Sequence, residues 1–351
     1  MASRKNKVIA IMLASLTGVS GITATSAIVA YEAMFPRVER KDPTLTPGVF
    51  FYERIKDSLP RQEMKYQVKD STLQGYYYPS EEGKGVVIVV HGMKSGGDDY
   101  LPIIEYMVRS GFDVFSYDCT GTYNSSGDST VGMCQSLIDL EGTISYVQSS
   151  GISADKPMFL IGHSWGGYAA ASVLALCPAI KGCAAIAGMH NACTLMTEKA
   201  EQYVGKLSVV PAPVFAGYQR LLFKDYVDHN AVKGINSTNA PVLVAHGVDD
   251  KTILWNKQSI ISYKDEFTNP NVEYYIGKGL QGGHDSIWHS TKAIAYQMQV
   301  ESELKLLELE KGEKLNDEEK RAYYATVDHA LYSQVNEELM MQIVQMFNKA
   351  L

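Results

Sequence analysis

The sequence predicts an α/β fold in which a mostly parallel central sheet is flanked by helices. Short apolar runs that are typical of strands alternate along the chain with longer segments of helical periodicity. The run at residues 85–90 is continuously apolar and rich in β-branched side chains, as expected of a strand buried on both faces of a parallel sheet. No internal repeat is visible, and the length fits one such domain preceded by a leader.

The predicted elements follow one another in a regular order. We expect strands at residues 65–68, 73–78, 85–90, 113–117, 157–161, 183–187, 241–245 and 272–276. Helices are expected at residues 100–110, 133–150 and 166–176, and a long helical segment closes the chain. Within that segment Gly312 should end one helix and Asn316 begin the next. The last helix, 336–351, is amphipathic, and its inward side chains are predicted to be Leu339, Ile343, Val344 and Phe347.

The composition narrows the classes of function. The 351 residues carry a net charge of −7, and the globular part has no basic block, which argues against nucleic acid as a partner. The five cysteines are an odd number, and neither a CxxC motif nor a cysteine–histidine pair stands at zinc spacing. The sequence therefore predicts an acidic globular domain with no metal and no cofactor.

The N-terminal region differs from the rest of the chain. Residues 8–31 carry no charge and follow three basic residues, and this stretch is long enough to cross a bilayer, which takes about 20 residues. We expect residues 1–35 to form a single-pass membrane anchor, with Tyr31 and Phe35 at the membrane interface and the globular domain outside the cytoplasm. The alternatives are a secretory signal cleaved near Ala27 and a buried helix of the domain. A proline-containing linker at 36–48 would lead to the domain at 49–351.

A serine between glycines follows the strand predicted at 157–161. The stretch GHSWG at 162–166 stands between a buried strand and an alanine-rich helix. This is the context of a nucleophile elbow, a sharp turn that holds the serine in a strained backbone conformation. Gly162 and Gly166 lack Cβ atoms, so the two arms of the turn can pass close together. The alternative is an ordinary glycine-rich turn, but the position after a buried strand favours Ser164 as a nucleophile.

Two positions downstream of Ser164 suit an acid and a base. A serine hydroxyl is a poor nucleophile unless a base takes its proton and an acid orients that base. The strand at 241–245 runs into a turn that holds Asp250, the predicted acid, and its neighbour Asp249 is the alternative. His284 follows two glycines after the strand at 272–276 and is the predicted base, whereas His289 is expected on the following helix.

Donors for an oxyanion are predicted at two backbone positions. The strand at 85–90 ends in His91 and Gly92, and the glycine lets the loop curl back so that the Met93 N–H faces the nucleophile. The Trp165 N–H, at the start of a helix, would be the second donor. Without Ser164, His91 and Gly92 would indicate no more than a turn at the end of a strand.

Together these motifs resemble the α/β-hydrolase superfamily over residues 50–351. HG at 91–92, GxSxGG at 162–167, GxxDxxI at 247–253 and GGH at 282–284 stand in the Ser, Asp, His order of that superfamily. The chain is similar to membrane-tethered or secreted bacterial members of the serine-aminopeptidase-like and related groups, and the resemblance implies an α/β-hydrolase fold. Those relatives often carry an arginine in the loop after the fourth strand. Thr120 stands here instead, so no substrate contact is inferred for that arginine.

The predicted chemistry is hydrolysis of an ester, thioester or amide through an acyl-enzyme, with a small-molecule acyl or peptide substrate. An acyltransferase with the same triad is one alternative, and a catalytically idle, membrane-tethered binding scaffold is another. Dehalogenases and epoxide hydrolases of the superfamily are excluded, because they use an aspartate where Ser164 stands. Residues 189–235 are expected to form a small, mostly helical cap whose apolar inner face favours acyl or aromatic groups.

Overall fold

An eight-stranded sheet forms the centre of the protein. The computed structural model describes residues 19–47, 51–192, 194–195 and 211–351. The strand order is β1-β2-β4-β3-β5-β6-β7-β8. The strands are β1 (Gln62–Val68), β2 (Ser71–Tyr78), β3 (Val86–Val90), β4 (Asp113–Asp118), β5 (Met158–His163), β6 (Ile180–Ile186), β7 (Val242–Gly247) and β8 (Val272–Gly277).

Most of the sheet is parallel. Strands β3 to β8 pair in parallel, whereas β2 is antiparallel to both β1 and β4. The predicted mostly parallel sheet is therefore confirmed. The parallel strands all end at one edge, and the loops that follow β3, β5, β7 and β8 carry the residues predicted to form the site.

Helices cover both faces of the sheet. They are α1 (Val19–Ala33), α2 (Tyr52–Ile55), α3 (Leu101–Arg109), α4 (Gln135–Ser149), α5 (Trp165–Val173), α6 (Pro211–Phe223), α7 (Ala231–Asn236), α8 (Thr291–Lys311), α9 (Asp317–Tyr324), α10 (His329–Tyr332) and α11 (Glu337–Asn348). Val86, Ile88 and Val90 of β3 belong to the apolar cluster that contains α4 and α5. Val87 and Val89 point the other way, into the cluster of α3 and α11. Because both faces are covered, β3 is apolar at every position.

The break between the C-terminal helices lies where the sequence predicts it. α8 stops at Gly312, which adopts a φ of 79° in the left-handed region. α9 begins after Asn316, whose side chain accepts the Glu319 N–H while the Glu319 carboxylate accepts the Asn316 N–H. In α11 Val344 is half-buried, and the buried side chains are Leu339, Met340, Ile343, Met346 and Phe347.

Helix α1 packs against the domain. Tyr31 is buried, and its ring contacts those of Phe215 and Tyr218 in α6. Phe35 is also buried, so the expectation that Tyr31 and Phe35 lie at a membrane interface is wrong, because protein atoms enclose both rings. Residues 1–18 of the predicted anchor lie outside the described residues. In the part of the chain that the structure describes, no helix combines the length and the apolar character needed to cross a membrane.

The segment predicted to be a linker contacts the loop that follows β4. Pro36 and Val38 form isolated β-bridges with Ser129 and Thr122 of that loop. The Arg37 guanidinium donates to three of its carbonyls, those of Tyr123, Ser125 and Gly127. The start of the predicted linker is therefore held to the domain, whereas residues 48–50, where the domain was predicted to begin, lie outside the described residues.

The described part of the predicted cap is mainly helical. It includes α6, the 3₁₀ turn Lys224–Asp228 and the start of α7. Residue 193 and residues 196–210 lie outside the described residues. Phe215, Tyr218 and Phe223 are buried in the same apolar cluster as α5 and the sheet. These side chains complete the core beside α1, and a role of the cap in selecting acyl or aromatic groups stays a prediction.

Candidate active site

Ser164 lies at the sharp turn between β5 and α5. Its backbone has φ 55° and ψ −113°, a combination that residues with a side chain rarely adopt. The two flanking glycines make the turn possible. A Cβ on Gly162 would lie 2.2 Å from the Gly166 oxygen, and a Cβ on Gly166 would lie 2.2 Å from the Val90 oxygen. β5 and α5 therefore pass each other at a distance that admits only glycine at 162, and α5 passes the end of β3 at a distance that admits only glycine at 166.

We expect Gly162→Ala to lower the free energy of unfolding by about 3 kcal/mol, because the added methyl group meets backbone atoms that cannot rotate away. Gly217→Ala is the matched control, since Gly217 lies within α6 and a Cβ there has no described neighbour within 4 Å. Alanine forms helices more readily than glycine, so the control should raise the free energy of unfolding by about 0.5–1 kcal/mol. Urea unfolding measures both, and equal stability of the two variants would contradict the packing argument.

The structure brings Ser164, His284 and Asp250 into one hydrogen-bonded line. Ser164 Oγ lies 2.8 Å from His284 Nε2, and His284 Nδ1 lies 2.7 Å from Asp250 Oδ2. The three side chains come from the elbow after β5, the turn after β7 and the loop after β8. An ionised carboxylate can only accept, so the contact with Asp250 places the proton on His284 Nδ1. His284 Nε2 is then able to accept the Ser164 proton.

The Asp250 carboxylate is held by four donors. Oδ1 accepts the N–H groups of Thr252 and Ile253 at 2.7 and 2.9 Å. Oδ2 faces His284 and also His246 Nε2, which lies 3.2 Å away. Burial alone would raise the pKa of Asp250, but the hydrogen bonds from His246 and His284 outweigh it and hold the pKa well below its usual range. Asp250 is therefore ionised at neutral pH.

His246 is a contact of the site that sequence reasoning missed. It is fully buried at the end of β7. Its Nε2 lies 2.9 Å from the Ile253 carbonyl, which can only accept, so this nitrogen carries a proton directed at both the carbonyl and Asp250. Its position four residues before Asp250 was available as a signal, but a histidine that ends a buried strand has no distinctive pattern.

The neighbours of the predicted acid and base have other surroundings. Asp249 is exposed, and its backbone N–H donates to the Gly282 carbonyl. Asp250, not Asp249, supplies the carboxylate that contacts His284. His289 lies directly before Ser290, the N-cap of α8, rather than on the helix as expected, and its ring packs on Trp288.

His91 holds the loop that follows β3. The Cys119 N–H donates to His91 Nε2 at 2.9 Å, so the proton of the neutral ring is on Nδ1, which donates to the Gly92 carbonyl at 2.7 Å. Burial lowers the pKa of His91, which keeps the ring neutral. A Cβ on Gly92 would lie 3.4 Å from the Ser164 Cβ, so the loop passes close to the elbow.

The two predicted oxyanion donors, the N–H groups of Met93 and Trp165, directly follow Gly92 and Ser164, which lie close together. Trp165 is the first residue of α5, where an N–H has no intrahelical acceptor. The Gly92 N–H donates to the Tyr100 hydroxyl at 3.0 Å, which leaves Met93 as the next N–H of the loop. Neither the Met93 N–H nor the Trp165 N–H donates to a described protein atom. The predicted role of both N–H groups as oxyanion donors requires that they have no such acceptor, and it stays a prediction.

Thr120, which stands in place of the superfamily's arginine, binds Asp139 of α4. Its N–H and its hydroxyl donate to the two carboxylate oxygens at 2.7 and 2.9 Å. Burial raises the pKa of Asp139 to about 6, although these hydrogen bonds favour the ionised form. Thr120 therefore anchors the loop after β4 to α4.

Among the described residues, His163, His284 and Asp285 form a cluster whose side-chain atoms lie close enough to bind one metal ion. Both ring nitrogens of His284 already contact Asp250 and Ser164. His163 Nε2 lies 3.1 Å from the His284 carbonyl. These nitrogens are engaged within the site, and we assign no metal to the cluster.

Comparison with known proteins agrees with this architecture. Residues 81–225 match the model of the serine aminopeptidase family S33, a range that includes Ser164 but ends before Asp250 and His284. The uncharacterized protein YfhR of Escherichia coli O157:H7 is 23% identical over 223 residues, which cover 61% of this chain and 72% of that protein. YfhR of Salmonella typhi is 25% identical over 224 residues, or 61% and 74% of the two chains.

Two solved structures share the fold. The esterase Pf2001 of Pyrococcus furiosus matches with a TM-score of 0.53 and 19% identity, over 76% of this chain and 97% of its own. Est1E from Butyrivibrio proteoclasticus matches with a TM-score of 0.51 and 12% identity, over 82% and 98%. Sheet topology and these structures together show that the chain has an α/β-hydrolase fold, and the family model matches its residues 81–225.

Proposed function

We propose that this protein is a serine hydrolase that cleaves an ester, thioester or amide through an acyl-enzyme intermediate. The observation that carries the proposal is the line from Ser164 through His284 to Asp250, with contacts of 2.8 and 2.7 Å. Nucleophilic catalysis by serine requires a base within hydrogen-bond reach and a group that orients the base. Asp250 meets the second requirement, because it is buried, ionised and held by two backbone N–H groups.

In the acylation step Ser164 Oγ attacks the substrate carbonyl carbon while His284 Nε2 takes the hydroxyl proton. Asp250 stays ionised and stabilises the imidazolium that forms. The carbonyl oxygen becomes negative, and the N–H groups of Met93 and Trp165 would stabilise it, each by about 3 kcal/mol. His284 then gives its proton to the departing alcohol, thiol or amine, and the bond to that group breaks to leave an acyl ester on Ser164.

Deacylation repeats these steps with water. His284 takes a proton from the water as its oxygen attacks the acyl carbon, and it returns the proton to Ser164 Oγ as the acyl–serine bond breaks. The products are a carboxylic acid and the free enzyme. An acceptor alcohol could enter in place of water, so hydrolysis and acyl transfer differ here in the second nucleophile alone.

The similar proteins support two kinds of scissile bond. The P. furiosus protein is named an esterase, whereas the matching family model is named for a serine aminopeptidase. We therefore propose a small-molecule acyl or peptide substrate and leave the choice to a measurement.

Labelling with a fluorophosphonate tests the nucleophile. We expect the folded full-length protein to be labelled once, at Ser164, as located by peptide mass spectrometry. Hydrolysis of p-nitrophenyl esters from acetate to laurate and of aminoacyl p-nitroanilides, with and without an acceptor alcohol, would then identify the bond and the acceptor. A folded protein that is not labelled, or is labelled at another serine, would disprove the mechanism. A product that is mainly the alcohol ester would reassign the protein as an acyltransferase.

A further inference from the structure

Three loops of the candidate site meet at two buried side chains, Tyr100 and His163. Tyr100 directly precedes α3, and His163 directly precedes Ser164. The Tyr100 hydroxyl lies 3.0 Å from the Gly92 nitrogen and 2.7 Å from His163 Nδ1. His163 Nε2 lies 3.1 Å from the His284 carbonyl oxygen. The pair therefore links the loop after β3, the elbow and the loop after β8.

The partners of these two side chains permit one arrangement of protons. The His284 carbonyl can only accept, so His163 Nε2 carries the proton. Burial, with a smaller effect of the neighbouring His284, lowers the pKa of His163 to about 4, so the ring is neutral at pH 7 and its Nδ1 has no proton. The Tyr100 hydroxyl must then donate to Nδ1 while it accepts the Gly92 N–H. The Gly92 N–H thus donates to Tyr100, Tyr100 donates to His163, and His163 donates to the His284 carbonyl, so each group has a partner.

We propose that Tyr100 and His163 form a relay that sets the oxyanion loop and the His284 backbone relative to Ser164. They are thus positioning residues of the hydrolase. The inference rests on the proposed function. At one end, the bond to Gly92 fixes the peptide between His91 and Gly92, one residue before Met93, whose N–H is a predicted oxyanion donor. At the other end, the bond from His163 fixes the backbone of the residue that carries the base.

The surroundings keep the relay rigid and away from water. Trp288, which follows His284 in the same loop, stacks on Tyr100 with ring centroids 5.9 Å apart and an interplanar angle of 26°. A Cβ on Gly92 would lie 3.0 Å from the Tyr100 hydroxyl, so the glycine lets the loop pass close to Tyr100. Apart from the bond between Tyr100 and His163, the relay's hydrogen bonds go to backbone groups, and the His163 ring packs on that of His284 with centroids 5.0 Å apart, so its effect should be on the transition state through geometry.

Tyr100→Phe tests the relay because it removes one oxygen and keeps the ring. We expect kcat to fall about 10- to 100-fold while KM stays within about twofold, since the oxyanion donor matters chiefly in the transition state. A boronic acid that mimics the tetrahedral intermediate should bind more weakly by a similar factor. Fluorophosphonate labelling carried to completion counts the folded sites and corrects kcat for any misfolded fraction.

Tyr106→Phe is the matched control. Tyr106 lies on α3, packs at the edge of the same apolar cluster and makes none of the hydrogen bonds of the site. A second variant, His163→Asn, should lower kcat in the same way. The double variant Tyr100→Phe/His163→Asn should be no slower than the slower single variant if the two side chains act as one unit.

The outcomes separate the relay from the proposed function. If the kcat of Tyr100→Phe lies within twofold of that of Tyr106→Phe, or if the two effects multiply in the double variant, the relay is disproved. A parallel loss of labelled fraction and thermal stability with unchanged kcat per labelled site would show a structural role and would also overturn it. If the parent protein is neither labelled nor active on any substrate, the proposed function is disproved. The relay is then disproved as well, because it rests on that function.

Discussion

Ser164→Ala is expected to lower kcat by about 10⁴-fold or more, to the rate that substrate binding and the oxyanion donors support alone. The change deletes the one atom that lies 2.8 Å from His284 Nε2, so the base loses the proton it would take. His284 and Asp250 keep their own contact, because it does not involve the serine. Initial rates on the best ester or amide of the substrate panel measure the loss.

The fold should survive this substitution. The Ser164 backbone N–H donates to the Ile186 carbonyl at 2.8 Å, and alanine keeps that bond. The melting temperature is therefore expected to stay within about 2 °C of the parent. Ser145→Ala, on the outer side of α4, is the control and should leave the rate unchanged. Activity of purified Ser164→Ala within 100-fold of the parent would show that another residue is the nucleophile.

The positions of Ser164, His284 and Asp250 could be predicted because each follows a strand. A continuous apolar run identifies a buried strand from local sequence, and parallel strands end at a common edge. The residues after β5, β7 and β8 were therefore expected along one edge of the sheet, although the sheet order was unknown. Local sequence was also sufficient for Gly312 and Asn316, since a left-handed glycine and a capping box are properties of a few adjacent residues.

Contacts between distant side chains could not be predicted in this way. The bond between Tyr100 and His163 joins residues 63 positions apart, and it depends on the order in which β3 and β5 pair. His246 reaches Asp250 only because the turn after β7 folds the carboxylate back onto its own strand. Neither contact has a sequence pattern, because each side chain taken singly is an ordinary buried polar residue.

The surroundings of the N-terminal helix also could not be predicted from the sequence. Apolar side chains are stabilised by burial in a bilayer and by burial in a protein core, so hydrophobicity alone does not distinguish a membrane segment from a core helix. The structure buries Tyr31 against Phe215 and Tyr218, residues more than 180 positions away. Only that long-range packing distinguishes a ring enclosed by the domain from a ring at a membrane surface.

The second large effect is expected for Asp250→Asn, which should lower kcat by about 10⁴-fold with little change in KM. Oδ1 accepts the N–H groups of Thr252 and Ile253, so the asparagine oxygen must occupy that side. The amide NH₂ then points at His284 Nδ1 and at His246. A donor at that position moves the His284 proton to Nε2, and the base can no longer accept the proton of Ser164.

Asp249→Asn is the matched control for this prediction. It makes the same chemical change one residue earlier, on an exposed residue that lies beside Gly282 and whose carboxylate makes no described hydrogen bond to His284. Its kcat should stay within about twofold of the parent, because a surface carboxylate affects a distant histidine weakly in water. Rates measured on both variants at the same pH decide between the two carboxylates. Among the described residues, Asp250 is the partner that orients His284 Nδ1, and Asp250→Asn replaces its acceptor oxygen with a donor. If Asp249→Asn were the damaging change and Asp250→Asn harmless, the contact between Asp250 Oδ2 and His284 would have no catalytic role.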